Sequence, residues 1–207
     1  MFPKEFTTAA YQSAFKNSEK MICAYLVTIA ESFGGTFLTC VVCGMIGYAL
    51  SRSSFRFKKP ITWVVMFTML FSAGMIPTYI VYSKYYHISN SFWIYILPGI
   101  TGGAWNTMVF RTFFRTLPES LFESARLDGA NELTIFFKIV IPLSTPVFAS
   151  LGFMMLVGKW NDYTTSMIYI RNENLYTLQY LLQKIMSESE FLKSMAQIGR
   201  ASCRERV

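Results

Sequence analysis

Apolar residues in this 207-residue chain gather into long runs rather than short alternations or narrow stripes. No charged residue falls between Pro60 and Ser83, between Tyr85 and Phe110, or between Ile139 and Gly158, and Met21 to Leu50 contains only Glu31. A helix rises about 1.5 Å per residue and the hydrocarbon core of a bilayer is about 30 Å thick, so each run can cross it. The pattern predicts an all-α, multi-pass membrane bundle. Crossings are expected from about Ser32 to Leu50, Ile61 to Tyr82, Ser91 to Phe113 and Pro142 to Lys159.

Punctuation residues refine these elements. The first run, Met21 to Leu50, is longer than one crossing needs, so it is expected to divide, with Met21 to Ala30 on the outer surface. Glu31 would then lie near the interface with a route to water, and a buried Glu31 carrying a proton or ion is the sharper alternative. Pro60 is expected to open the second crossing and Pro77 to kink or close its far end. Pro98, Gly99, Gly102 and Gly103 weaken the third, read either as close helix packing or as a bend beside a translocation path. Tyr163 to Lys193 is mixed polar and amphipathic, with no further span expected.

Composition removes other classes. Hydrophobic residues make up 53% and charged residues 15% of the chain, against roughly 25% charged in a soluble domain, so an ordinary soluble enzyme is excluded. The formal charge of +7 is not arranged as a basic stripe with interleaved aromatics, so no nucleic-acid partner is expected. It sits instead in loops: Ser51 to Lys59 carries Arg52, Arg56, Lys58 and Lys59, Ser83 to Asn90 carries only Lys84, and Arg111 to Lys138 carries Arg111, Arg115, Arg126 and Lys138. That alternation puts the basic loops on the cytoplasmic side and both the amino terminus and the region after Trp160 outside. Met1 to Asn17 shows no cleavable signal pattern.

Catalytic and metal chemistry find few candidates. Cys40 and Cys43 form a C-x-x-C inside an apolar run, with no second pair and with His87 as the single histidine, so no metal site is expected. With Thr36, Gly44 and Gly47 they read as small residues that admit a neighbouring helix. The spans lack an acid-base cluster, and no G-x-x-x-x-G-K-[ST] loop is present to hold ATP.

The segment from Leu117 to Pro142 has a different character. Pro118 and Glu119 open a helix, Leu121, Phe122 and Ala125 give it an apolar face, and Gly129 ends it by turning with positive φ. Asn131 and Glu132 start a second helix, whose Leu133, Phe136, Phe137 and Val140 recur at helical spacing. The result is a cytoplasmic helix-turn-helix with exposed charge and apolar knobs, a shape that calls for a protein partner. At the outer end of the fourth crossing, Trp160, Asn161, Asp162 and Tyr163 combine aromatic faces with groups able to bond sugar hydroxyls. An interfacial aromatic belt with a polar cap is the alternative reading of the same residues. Tyr79, Trp93, Trp105 and Asn106 are weaker candidates of that kind.

Glu123-Ser124-Ala125, Gly129, Ile139 and Ile141-Pro142 match the spacing of the signature E-A-A-x3-G-x9-I-x-L-P. On these residues the chain resembles the membrane-spanning permease subunits of binding-protein-dependent ABC importers, Ser124 and Ile141 being its two departures. Asp128-Gly129-Ala130, Ile141-Pro142-Leu143-Ser144 with Pro146, Trp160-Asn161-Asp162 and Tyr48-Ala49-Leu50-Ser51-Arg52 are similar to the carbohydrate-uptake branch. The resemblance implies the type I permease fold, with an external segment at 1–20, a transmembrane domain at 21–196 and a coupling loop at 115–142. It also implies that the family's first and last spans are missing here and that 197–207 is a non-native or truncated tail.

Functionally, the resemblance implies a transporter subunit of the bacterial inner membrane, not an enzyme, translocating a sugar or oligosaccharide. Its implied partners are ABC ATPase subunits that use ATP and Mg, a second, related but different permease, and an extracytoplasmic solute-binding protein. This chain itself would bind no cofactor. Glu123, Ser124, Ala125, Asp128, Gly129, Ala130, Ile139 and Pro142 would form the ATPase-coupling loop. A secondary, ion-coupled transporter is the rival; it would need inverted repeats or intramembrane carboxylates, and Glu31 is the single acid within an apolar run.

Overall fold

In lipid the backbone must satisfy its own hydrogen bonds, which favours helices over open strands. The computed structural model describes residues 18–101 and 103–204, and every regular element among them is helical. The first apolar run does not divide. Helix α1 (Ser18–Ile29) passes through a π turn (Ala30–Gly34) into α2 (Gly35–Ser51). Glu19–Ser51 is the one unbroken helix among the described residues that is long and apolar enough to cross a membrane. The expected break becomes a widened turn, in which the i→i+5 bond absorbs one extra residue without exposing backbone. Glu31 lies in that turn at 1% exposure, which corrects its expected place at a wet interface.

The second run bends where a proline was not the cause. Helix α3 (Lys58–Leu70) and helix α4 (Met75–Ile80), which continues into a π turn (Val81–Tyr85), meet at 114°. Gly74 supplies the corner with φ +85°. Pro77 falls in the first turn of α4, where a helix leaves its N–H groups unbonded anyway, so it opens this helix rather than closing the crossing. Pro60 likewise sits in the first turn of α3, as expected.

The third run is α5 (Trp93–Thr101), containing Pro98, and α6 (Ala104–Phe114), with Gly103 between them in a non-helical conformation. Helix α7 (Glu119–Leu127) follows, then α8 (Glu132–Ile135), a π turn (Phe136–Val140) and α9 (Ile141–Leu143). At Ser144 the chain turns by 83° into α10 (Thr145–Trp160), so Pro142 falls just before the bend. Each of the two bent pairs is apolar and long enough to cross only if counted as one span. Helix α11 (Thr164–Tyr169), a 3-10 turn (Glu173–Leu175) and the mixed polar α12 (Leu178–Arg204) complete the described chain. Residues 1–17 of the expected external segment and 205–207 of the expected tail lie outside the described residues.

Helix α2 is the axis of the bundle, packed against α5, α6 and α10. Its small residues allow the approach, as their spacing foretold. A Cβ on Gly47 would lie 2.8 Å from Cβ of Phe110 and 3.0 Å from the Thr107 carbonyl, and one on Gly44 would lie 2.9 Å from the Phe148 ring. Cys43 donates to the Gly103 carbonyl at 3.6 Å, so the C-x-x-C pair is a packing element. At the end of the bundle far from the signature loop the Tyr95 hydroxyl lies 2.7 Å from that of Ser166 and donates to the Leu175 carbonyl, while Leu178 N donates to Thr28 Oγ1 at 2.9 Å. These bonds fasten the segment after Trp160 onto α1 and α5.

The crowding at Gly47 is backbone against backbone and cannot relax by a rotamer change. Gly47→Ala should therefore destabilise the bundle by about 1–3 kcal/mol, whereas Gly158→Ala, with open space around it, should be neutral. Thermal unfolding of the two variants in the same detergent checks the contrast.

Candidate functional site

The signature segment folds as its residue types dictate. Pro118 caps α7, and acidic Glu119 in the first turn with Arg126 in the last complement the helix dipole. At its end Ala130 N bonds the Ala125 carbonyl at 2.9 Å and Gly129 N the Arg126 carbonyl at 3.0 Å. That pair of bonds is a Schellman motif, and Gly129 takes the left-handed position with φ +79°. Asn131 then starts α8.

The signature residues sort onto two faces. Ala125 is buried, and Ala130 and Ile139 pack against a core of Phe110, Phe114, Phe122, Ile135, Phe136 and Val140. Glu123, Ser124, Asp128, Gly129 and Pro142 are exposed. Glu123 makes no salt bridge among the described residues, leaving its charge available to a partner. Leu121, Leu127, Leu133 and Phe137 are exposed apolar groups on the same protrusion.

Two residues outside the signature tie the protrusion to α2. Glu132 accepts from the Tyr48 hydroxyl at 2.7 Å and from Arg126 Nε at 2.9 Å, so one carboxylate closes the turn and reaches the crossing helix. Partial burial alone would raise the Glu132 carboxyl, but the Tyr48 and Arg126 hydrogen bonds and the Arg126 and Arg52 charges outweigh it and hold it below the usual carboxylate range. Beside this bond Phe122 is 0% exposed, with the Arg52 guanidinium stacked 3.4 Å from its ring centroid. Burial pushes the Arg52 guanidinium below its ordinary value, and Tyr48 and Glu119 push it back.

A second polar site lies towards the other end of the bundle. Lys159 of α10 donates to the Tyr95 carbonyl at 2.9 Å, within electrostatic reach of Glu31. Its ammonium fits because Gly35 and Gly99 have no side chains; their Cβ atoms would come within 2.9 and 3.2 Å of it. Ser32, Thr36 and Thr39, on one face of the first helix, are buried there with hydroxyls that have no hydrogen-bond partner.

The outer quartet is partly spent on local structure. Asp162 Oδ1 accepts from Thr164 N at 2.9 Å and Thr165 N at 3.2 Å, capping α11. Asn161 bonds the Val157 carbonyl and accepts from Gln179 at 3.0 Å. Tyr163 is exposed and Trp160 half-buried. Tyr79 stacks on Tyr169, and Trp93 and Trp105 are exposed. The loop set and the quartet thus occupy separate sites. Sequence reasoning missed Glu132, Tyr48 and Arg52 as a unit, because they stand far apart in the chain. It also missed that Lys159 comes within electrostatic reach of Glu31, because the two charges stand in different apolar runs.

A double-mutant cycle isolates the tie. Tyr48→Phe and Glu132→Gln should each destabilise the protein, with a coupling energy of about 1–3 kcal/mol between them in thermal or denaturant unfolding. At the second site, Lys159→Met orphans a buried carbonyl and leaves Glu31 uncompensated. It should cost about 1–3 kcal/mol, and adding Glu31→Gln should recover part of the loss in the same unfolding assay.

Comparison with known proteins agrees with this geometry. Residues 41–189 match the family described as "Binding-protein-dependent transport system inner membrane component". The polygalacturonan/rhamnogalacturonan transport system permease protein YtcP of Bacillus subtilis (strain 168) is 36% identical over 98% of this chain and 70% of its own length. Protein LplC of the same organism is 34% identical over 89% of this chain and 62% of its own length. The arabinooligosaccharides transport system permease protein AraQ, also from that organism, is 30% identical over 73% of this chain and 54% of its own length. The chain therefore spans between about half and about seven-tenths of these relatives. A crystal structure of a bacterial ABC transporter involved in the import of the acidic polysaccharide alginate superposes with a TM-score of 0.80 at 28% identity, covering 95% of this chain and 71% of that one. With its all-helical bundle and its signature loop, this chain belongs to the binding-protein-dependent transport system inner membrane components, a family of permeases and not of enzymes.

Proposed function

We propose that the chain is a permease subunit of an ATP-driven importer for oligosaccharides, working in a bacterial inner membrane with separate ATPase subunits and an external binding protein. One observation carries the reading: the signature loop is an exposed two-helix protrusion whose buried side is fastened to α2 through Phe122 and Glu132. Such a unit can pass a push from a partner into the membrane because its internal hydrogen bonds leave few soft torsions. Glu123 and Asp128 face the ATPase, Ala125, Ala130 and Ile139 hold the loop to the bundle, and the turn after Pro142 leads the motion into α10. ATP and Mg are used by the partner. A second permease, related to this one but different, completes the pathway.

The relatives that handle polygalacturonan and alginate support an acidic oligosaccharide as cargo, since both polymers carry carboxylates. Trp160 and Tyr163 supply aromatic faces for sugar rings at the outer end of α10. The ion-coupled alternative rested on Glu31. Lys159 lies within electrostatic reach of that carboxylate and gives it a countercharge inside the bundle.

In an importer assembled with the intact permease, Glu123→Ala and Gly129→Val should leave membrane insertion unchanged. Gly129→Val adds a Cβ at positive φ, a strain of roughly 1–2 kcal/mol, enough for about a tenfold loss of ATPase docking. Uptake of labelled oligogalacturonide and the amount of ATPase that co-purifies should both fall. Undiminished uptake by both variants would remove the coupling role from this loop.

A further inference from the structure

The basic loop and the coupling loop meet at a cleft of about 210 Å³ lined by Ser51, Arg52, Ser53, Lys58, Arg115 and Glu119. Three cations converge there on one acid, and that acid is engaged, because Glu119 Oε1 accepts from the Ser53 hydroxyl at 2.9 Å. Arg111 adds a fourth positive charge within electrostatic reach of Lys58, alongside Arg115 and Arg52. None of the four makes a salt bridge among the described residues. Arg52 is 8% exposed, and its Nε, like that of Arg111, is buried without a hydrogen-bond partner.

Holding unpaired guanidinium N–H groups out of water is unfavourable unless an acceptor reaches them, and a phosphate offers several acceptor oxygens in the geometry a guanidinium fork prefers. Position narrows the source. Helix α3 leaves the cleft at Lys58 and within three turns exposes Ile61, Trp63, Val64 and Phe67, an apolar surface suited to an acyl chain. A basic pocket at the end of a crossing helix, next to such a surface, has the character of a site for an anionic headgroup.

We propose that this cleft binds a phosphate-bearing anion, with the headgroup of an anionic phospholipid as its occupant. The bound phosphate would neutralise the charges between the two loops, so that lipid composition adjusts how firmly the coupling loop is seated. The binding itself does not depend on the transport role proposed above, and the test reads binding alone.

The test uses the purified intact permease in detergent, incubated with short-chain phosphatidylglycerol, short-chain phosphatidylcholine or inorganic phosphate and read by native mass spectrometry. Phosphatidylglycerol should be retained and phosphatidylcholine released. Lys58→Gln with Arg115→Gln should weaken phosphatidylglycerol retention about 10–30-fold. Arg56→Gln with Lys59→Gln removes as much charge from the same loop outside the cleft and should change retention little. Competition by millimolar inorganic phosphate would support the site and assign it a soluble occupant. Equal retention of both lipids, or equal weakening by the two double variants, would overturn the proposal. If the first double variant does not fold, Arg115→Gln alone, at an exposed position, gives the same comparison with smaller amplitude.

Discussion

A single aromatic side chain and the carboxylate beside it decide what the rest of this bundle can do. Phe122 is sealed among Tyr48, Phe114 and Phe136, with Arg52 on its face, and Glu132 bonds Tyr48 next to it. Burying a phenylalanine contributes about 1.5–3 kcal/mol and a hydrogen bond to a charged group about as much again. Neither is large, but both act where α7 and α8 meet the crossing helix. Without them the two short helices would hang on the chain at residues 115 to 118 and 141 to 144, too short to hold their own shape in water. The tie is what makes a loop into a rigid extension of α2.

The two ends of α2 are held by opposite chemistry. Its end beside the signature loop lies in close-packed aromatic rings, where Tyr48, Phe110, Phe114, Phe136 and Phe148 meet at centroid separations between 4.6 and 6.5 Å. The other end holds Ser32, Thr36 and Thr39 with unpaired hydroxyls, and Lys159 in a space left by two glycines. Dense apolar packing permits few alternative arrangements, whereas hydroxyls and a long ammonium chain can exchange partners without a change of volume. The coupling end is therefore the stiff one. Adaptation falls at the end where the proposed cargo enters.

Much of this was legible in the sequence, because membrane physics writes itself locally. Uncharged runs mark the helices, the Gly129 turn follows from its position after an amphipathic segment, and the Gly44 and Gly47 face follows from residue size. What the sequence concealed has two causes. Helix corners depend on competition between residues: Gly74 takes the bend that Pro77 was expected to make, since a proline in a first turn loses nothing. Long-range polar pairs are invisible to periodicity. Glu31 sat beside a plausible interface until the π turn carried it inward, and Lys159, whose charge reaches it, comes from a helix more than a hundred residues later.

Helices α2 and α10 are joined at both ends, and this restricts any motion the bundle can make. At the end beside the signature loop the Phe148 ring of α10 packs at a tilt against Phe110 and fills the space at Gly44, while at the other end Lys159 reaches Gly35 and the Tyr95 carbonyl of α5. Between them a Cβ on Gly152 would meet Cys40 Sγ at an ordinary 3.6 Å, so the glycine leaves the pair room rather than crowding it. Two helices pinned in this way cannot hinge against each other without breaking one pin. A push entering through Glu132 and Tyr48 therefore moves α2 and α10 together. Among the described residues the apolar runs turn at Gly74, Gly103 and Ser144, each of which stands outside regular helix. The interruptions are thus the places where the bundle can bend while its central pair stays whole.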